Sequence, residues 1–93
     1  MIRTTETGLT FMGDTLDFLE ANEAAAIASR SEFRIICIDL SAVHQATTAA
    51  FAMLIDLRGR LRRMGRDLQL KGIRDKALAL YSLMRLQQVL PVI

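Results

Sequence analysis

The sequence predicts an α/β domain in which a mixed, mostly parallel sheet of four to five strands carries three main helices. Helix-period and strand-period segments alternate along the chain, so successive strands need crossover connections and lie parallel. One apolar run, Phe33 to Leu40, has the length and β-rich character of an interior strand. A second segment, Ala49 to Met64, carries an apolar stripe of helical period. At 93 residues the chain is expected to form one domain, 1–93, around one core.

The elements follow in order. Met1 to Met12 alternates in part and is broken by Glu6-Thr7-Gly8, which predicts two short strands joined by a turn. Leu16 to Arg30 is the first expected helix, with Leu16, Leu19, Glu23, Ala26 and Ile27 near helical spacing and Asp14, Thr15 or Asp17 as its cap. Phe33 to Leu40 is expected to be covered on both faces. A polar turn, Ser41 to Ala46, leads to the Ala49–Met64 helix, where Leu54, Leu57, Leu61 and Met64 face the core and Asp56, Arg60 and Arg63 lie opposite. Gly65 is placed to take the left-handed conformation that ends a helix. Asp67 to Lys71 alternates as a strand, and Gly72 starts a turn. A third helix is expected from Asp75 to Leu86, its apolar face formed by Ala79, Leu80, Leu83 and either Met84 or Leu86. Gln87 to Ile93 is apolar around Pro91 and reads as an edge strand, because proline lacks the N–H that a ladder needs.

Composition narrows the function classes. With 52% hydrophobic and 24% charged residues the chain is globular, and only five side chains are aromatic, counting one Tyr and four Phe. It has no platform for stacking bases, and its excess of basic residues between Arg58 and Lys76 is a local patch rather than the long stripe of a nucleic-acid binder. Nucleic acid is therefore not expected as a partner. Cys37 is the single cysteine and sits in the apolar run, where an inert buried thiol is expected. The N-terminal residues lack the apolar core of a secretion signal, and no stretch is long enough to span a bilayer. A cytoplasmic location is expected, with any membrane connection made through a partner.

Signals of catalysis are sparse. His44 is the only histidine and has no cysteine or second histidine at metal-ligand spacing, so no metal is expected. There is no glycine-rich phosphate cradle, and Asp14 and Asp17 stand where a helix cap is wanted. No catalytic residue and no cofactor are assigned. The informative segment is Ala46-Thr47-Thr48-Ala49-Ala50-Phe51, where a loop enters the long helix. Either threonine hydroxyl can accept a hydrogen bond from a free N–H of the first turn. A phosphate attached here would also sit beside the positive helix end, adding about 1.5 to 2 negative charges. Capping and switching both fit the residues.

The chain resembles the STAS family, which includes anti-sigma factor antagonists. The resemblance is carried by Ile38-Asp39-Leu40-Ser41-Ala42-Val43, by Ala46-Thr47-Thr48-Ala49-Ala50-Phe51-Ala52-Met53-Leu54, and by Arg62-Arg63-Met64-Gly65-Arg66-Asp67-Leu68-Gln69-Leu70 with Gly72-Ile73. Gly13-Asp14-Thr15-Leu16-Asp17 is similar to the family's Gly-x-Leu-Asp segment with one residue added. The resemblance implies a STAS-like fold and a non-enzymatic module that binds a protein partner. It maps the phosphoacceptor hydroxyl onto Thr48, with Thr47 as the neighbouring candidate. Thr47 stands where the family usually has Asp, and Ala50 where it usually has Gly. The implied partner surface is Thr47, Thr48, Ala49, Ala50, Met53 and Asp56. The implied partner is an anti-sigma factor of the serine-kinase type. Asp75-Lys76 and Val89-Leu90-Pro91 are instead similar to the STAS subunit of phospholipid-transporting ABC systems, which implies an ATPase subunit as partner. Pairing through Val89 to Ile93 would give a homodimer.

Overall fold

A computed structural model describes residues 1–93. Its main sheet has the order β1-β2-β4-β6, built from β1 (Ile2–Thr4), β2 (Gly8–Phe11), β4 (Ile35–Asp39) and β6 (Asp67–Lys71). β1 and β2 pair antiparallel, whereas β2 with β4 and β4 with β6 pair parallel. A second, two-stranded ribbon joins β3 (Thr15–Leu16) to β5 (Gln45–Ala46), also in parallel. The helices are α1 (Phe18–Arg30), α2 (Thr48–Arg63) and α3 (Asp75–Leu83), followed by a 3₁₀ turn at Leu86–Gln88. The mixed, mostly parallel sheet with three helices is the architecture expected from the sequence.

Burial alternates along the strands. Leu9 and Phe11, Ile36 and Ile38, and Leu68 and Leu70 point to one side and are sealed beneath the helices. Ile35 is 51% exposed on the opposite face and Cys37 is half-buried there, so β4 is covered on one face only. This corrects the expectation of a strand buried on both sides, and of a buried thiol: outward Ile35 and Cys37 are apolar too, which hides the period of two. At Gly8 the reason for glycine is close approach, since a Cβ there would lie 2.0 Å from the Cys37 carbonyl oxygen.

Helix α1 begins two residues later than expected, because Leu16 is spent in β3 and Asp17 caps the helix, its carboxylate accepting from the Glu20 N–H at 2.9 Å. Its buried residues are Ala21, Ala24, Ala25 and Ala28, not Leu19, Glu23 or Ala26. Four small side chains at helical spacing let α1 lie close against α2, and Leu19 is left 74% exposed.

Helix α2 buries Ala50, Phe51, Leu54, Leu57 and Leu61. Met64, expected on that stripe, is instead the C-cap and 57% exposed. Gly65 follows in the left-handed region at φ 73°, as its position predicts.

The third helix is shorter than expected, because Arg85 turns left-handed (φ 55°) and Leu86 moves into the 3₁₀ turn. Its buried residues are Ala77 and Tyr81; Ala79 and Leu83 face solvent, and Leu80 and Met84 are half-buried. The Tyr81 ring decides this phase, standing edge-on to Phe51 at 6.2 Å while its hydroxyl donates to the Leu90 carbonyl at 2.5 Å. Of the last expected strand, only a single parallel bridge forms, Leu70 with Val92.

Candidate functional site

The ribbon of β3 and β5 explains how the site is built. Thr15 pairs with Gln45 and Leu16 with Ala46, after which each strand passes directly into a helix. The Thr47 N–H donates to the Leu16 carbonyl at 3.0 Å, so the first turns of α1 and α2 start side by side and point the same way.

Thr47 is the cap of α2. Its backbone is extended (φ −102°, ψ 157°) and its Oγ1 accepts from the Ala50 N–H at 3.1 Å. Thr48 is the first helical residue, and both it and Ala49 are exposed. The two hydroxyls are therefore unequal: one closes the helix end, the other stands free on its rim. Ala50 is fully buried, so it lies beneath this tip and offers a partner no surface. Met53 is half-buried one turn on, with an Arg60 nitrogen 4.0 Å from its sulfur. Asp56 is exposed and pairs with Arg60 at 3.0 Å. The first turn of α2 contains no acidic residue, in contrast to α1, where Asp17 and Glu20 supply negative charge. α2 thus brings no acidic side chain of its own to its positive end.

Two apolar side chains whose exposure sequence reasoning missed stand in the first turn of α1. Phe18 is 46% and Leu19 74% exposed, Leu19 on the side of α1 opposite its buried alanines. The signal for them was the alanine stripe, which takes the buried side of α1 and turns Leu19 outward.

His44, just before β5, ties the tip to α3. Its Nδ1 is hydrogen-bonded to Asp75 Oδ2 at 2.6 Å, with Asp14 3.8 Å from Nε2 and an Arg74 nitrogen 3.4 Å from it. Its backbone carbonyl accepts from the Ala77 N–H at 3.1 Å. Asp75 holds a left-handed backbone at φ 55°, a conformation that costs a non-glycine residue energy and that this clasp helps to hold. His44 is therefore a fastener between distant segments. No group of three His, Cys, Asp or Glu side chains is arranged to hold a metal.

The family model described as "Mlab, STAS domain" matches residues 13–91, a span that contains both helix starts and the Thr47-Thr48 tip. The chain belongs to the STAS family. Solved structures agree on the fold of this STAS domain. A crystal structure of a candidate anti-sigma factor antagonist from Thermotoga maritima superimposes with a TM-score of 0.74 at 13% identity, covering 99% of this chain and 83% of that one. The NMR structure of the protein TM1081 gives a TM-score of 0.76 at 13% identity, covering 99% of this STAS domain and 78% of that chain. Among curated proteins, none matches. No helix of the domain is long and apolar enough to cross a membrane.

Proposed function

We propose that this STAS domain is a non-enzymatic regulatory module that docks a protein partner on the paired first turns of α2 and α1. The docking surface comprises Thr47, Thr48, Ala49, Met53 and Asp56, with Phe18 in the neighbouring first turn of α1 as its apolar flank. The observation that carries this reading is the division of labour at the tip: Thr47 satisfies the helix end, which leaves the Thr48 hydroxyl exposed beside a positive terminus with no acidic residue in its own first turn. Thr48 is then the phosphoacceptor. Its modification places charge at the rim without uncapping α2 and expels the partner by desolvation and repulsion. An anti-sigma factor with a serine-kinase domain is the partner of this version.

A second reading has its own support. Thr47 replaces the usual acidic neighbour of the phosphoacceptor, and as the cap it is already engaged. In this version the tip docks constitutively on the ATPase subunit of a phospholipid-transporting ABC system, and Thr48 contributes a contact rather than a switch.

Affinity capture from the native cell, using the unaltered domain with Thr48→Ala and Thr48→Glu, tests both. A kinase recovered with Thr48→Ala and lost with Thr48→Glu supports the switch, whereas an ATPase recovered by the unaltered domain and lost with Thr48→Glu supports constitutive docking. Equal recovery by all three would remove Thr48 from the interface.

A further inference from the structure

The second half of α2 carries a surface unrelated to the tip. Ile55, Arg58, Gly59 and Arg62 fall on one side of the helix and, with Val89 of the C-terminal segment, line an open groove. Its two arginines are not equivalent. Arg58 is consumed internally: its Nε donates to Asp67 Oδ1 at 2.8 Å, and its Nη1 reaches the Gln88 and Val89 carbonyls at 3.4 and 3.2 Å. It fixes the groove wall and neutralises Asp67. Arg62 is exposed and forms neither an ion pair nor a hydrogen bond; its charge acts on Asp67 only from beyond contact distance, so it is the groove cation still open to a partner.

Gly59 is the second observation. It lies within a 16-residue helix, where glycine costs about 1 kcal/mol relative to alanine. Neither packing nor backbone geometry asks for it: a Cβ here would meet nothing within 4 Å, and its φ is not positive. The glycine leaves a gap in the helix surface, bounded by half-buried Ile55 and by Val89, which is 41% exposed.

We propose that this groove is a second docking surface, taking an acidic segment of a partner protein. One carboxylate of the segment pairs with Arg62, an adjacent aliphatic side chain lies on Ile55 and Val89, and the backbone between them approaches α2 over Gly59. One unpaired cation beside the aliphatic pair Ile55 and Val89 matches an alternating acidic and aliphatic chain. A phosphate-tracking surface would need a row of free cations instead. Arg62 is fourteen residues beyond Thr48, roughly 20 Å along the helix at about 1.5 Å per residue, so both surfaces can be occupied together.

The test is an NMR titration of the ¹⁵N-labelled domain with a capped peptide of alternating Glu and Leu. Parallel arms use the corresponding Lys-Leu peptide and phosphatidylglycerol-containing vesicles. The acidic peptide is expected to shift the amides of Ile55, Gly59, Arg62 and Val89 saturably and to leave Thr47 to Ala49 unmoved. Arg62→Glu should weaken it at least about fivefold, as loss and reversal of one interfacial charge. Gly59→Ala should weaken it as well while the thermal midpoint stays equal or rises, which separates loss of the gap from loss of the fold. An equal response to the lysine peptide, shifts centred outside the groove, affinity unchanged in both variants, or vesicles that move these amides when the acidic peptide does not, would each overturn the proposal. None of these outcomes bears on capture by the Thr48 tip, so the two surfaces stand or fall separately.

Discussion

Thr47 and Thr48 carry the same side chain in consecutive positions, and the fold gives them opposite duties. Thr47→Ala removes the hydrogen bond to the Ala50 N–H and should destabilise the domain by about 1 kcal/mol in urea unfolding. Thr48→Ala should stay within about 0.5 kcal/mol of the unaltered domain, because its hydroxyl is exposed and caps nothing. Equal losses in the two variants would contradict the assignment of the cap. Which threonine caps is not legible in the sequence, since both lie within reach of the first turn until the register of β5 against β3 is known. The location of the hydroxyl pair at a helix start was legible, because the leucine spacing downstream phases the helix. Ala50 shows the opposite case: its place in the motif predicts a surface position, but the phase that buries Leu54 and Leu57 also buries Ala50.

Between elements, the most informative contact is Arg58 with Asp67, which joins α2 to β6 and, through two carbonyls, to the C-terminal segment. Burial by itself would raise the Asp67 carboxyl. Hydrogen bonds from the Arg58 guanidinium and the Leu68 N–H, with the charges of Arg58 and Arg62, outweigh that and hold it below the usual carboxylate value. A carboxyl depressed by folding stabilises the native state above its ordinary pKa, and that contribution disappears as pH falls through the lowered value. Acid unfolding followed by circular dichroism should therefore have a shallower low-pH limb in Asp67→Asn than in the unaltered domain. The seam between α1 and α2 gives a second expectation. Replacing Ala24, which is fully buried, with Leu should cost about 1 to 3 kcal/mol by overpacking, whereas Leu19→Ser should barely change the unfolding midpoint. Sequence patterning misjudged this seam because it gave alanine less weight than leucine, and close helix packing reverses that order. The third helix was misphased for a related reason: Tyr81, one aromatic with a polar end, outranks Leu83 once its hydroxyl finds the Leu90 carbonyl.

At the scale of the whole molecule, the order of helices and strands was legible, because each long element has its own period and Gly65 marks a helix end. The two-residue strands β3 and β5 were not, since a pair of residues has no periodicity to read. Nor was the one-sided covering of the sheet, which is a property of where three helices settle rather than of any strand. One residue tests how tightly the strands are joined. Gly8→Ala would drive a methyl group into the Cys37 carbonyl and should cost more than about 3 kcal/mol, read as loss of cooperative thermal unfolding at ordinary temperature.

The bridge between Leu70 and Val92 has a bearing on self-association. The Leu70 N–H donates to the Pro91 carbonyl and the Ile93 N–H to the Leu70 carbonyl, so the chain's own tail occupies the hydrogen-bonding rim of β6 where a neighbouring molecule would otherwise add a strand. The same segment is pinned by buried Leu90, whose carbonyl accepts from Tyr81, and by Arg58 at the Gln88 and Val89 carbonyls, so the cover on this rim is part of the core rather than a loose end. Loss of those anchors would bare unpaired N–H and C=O groups along β6, an edge to which another strand could add.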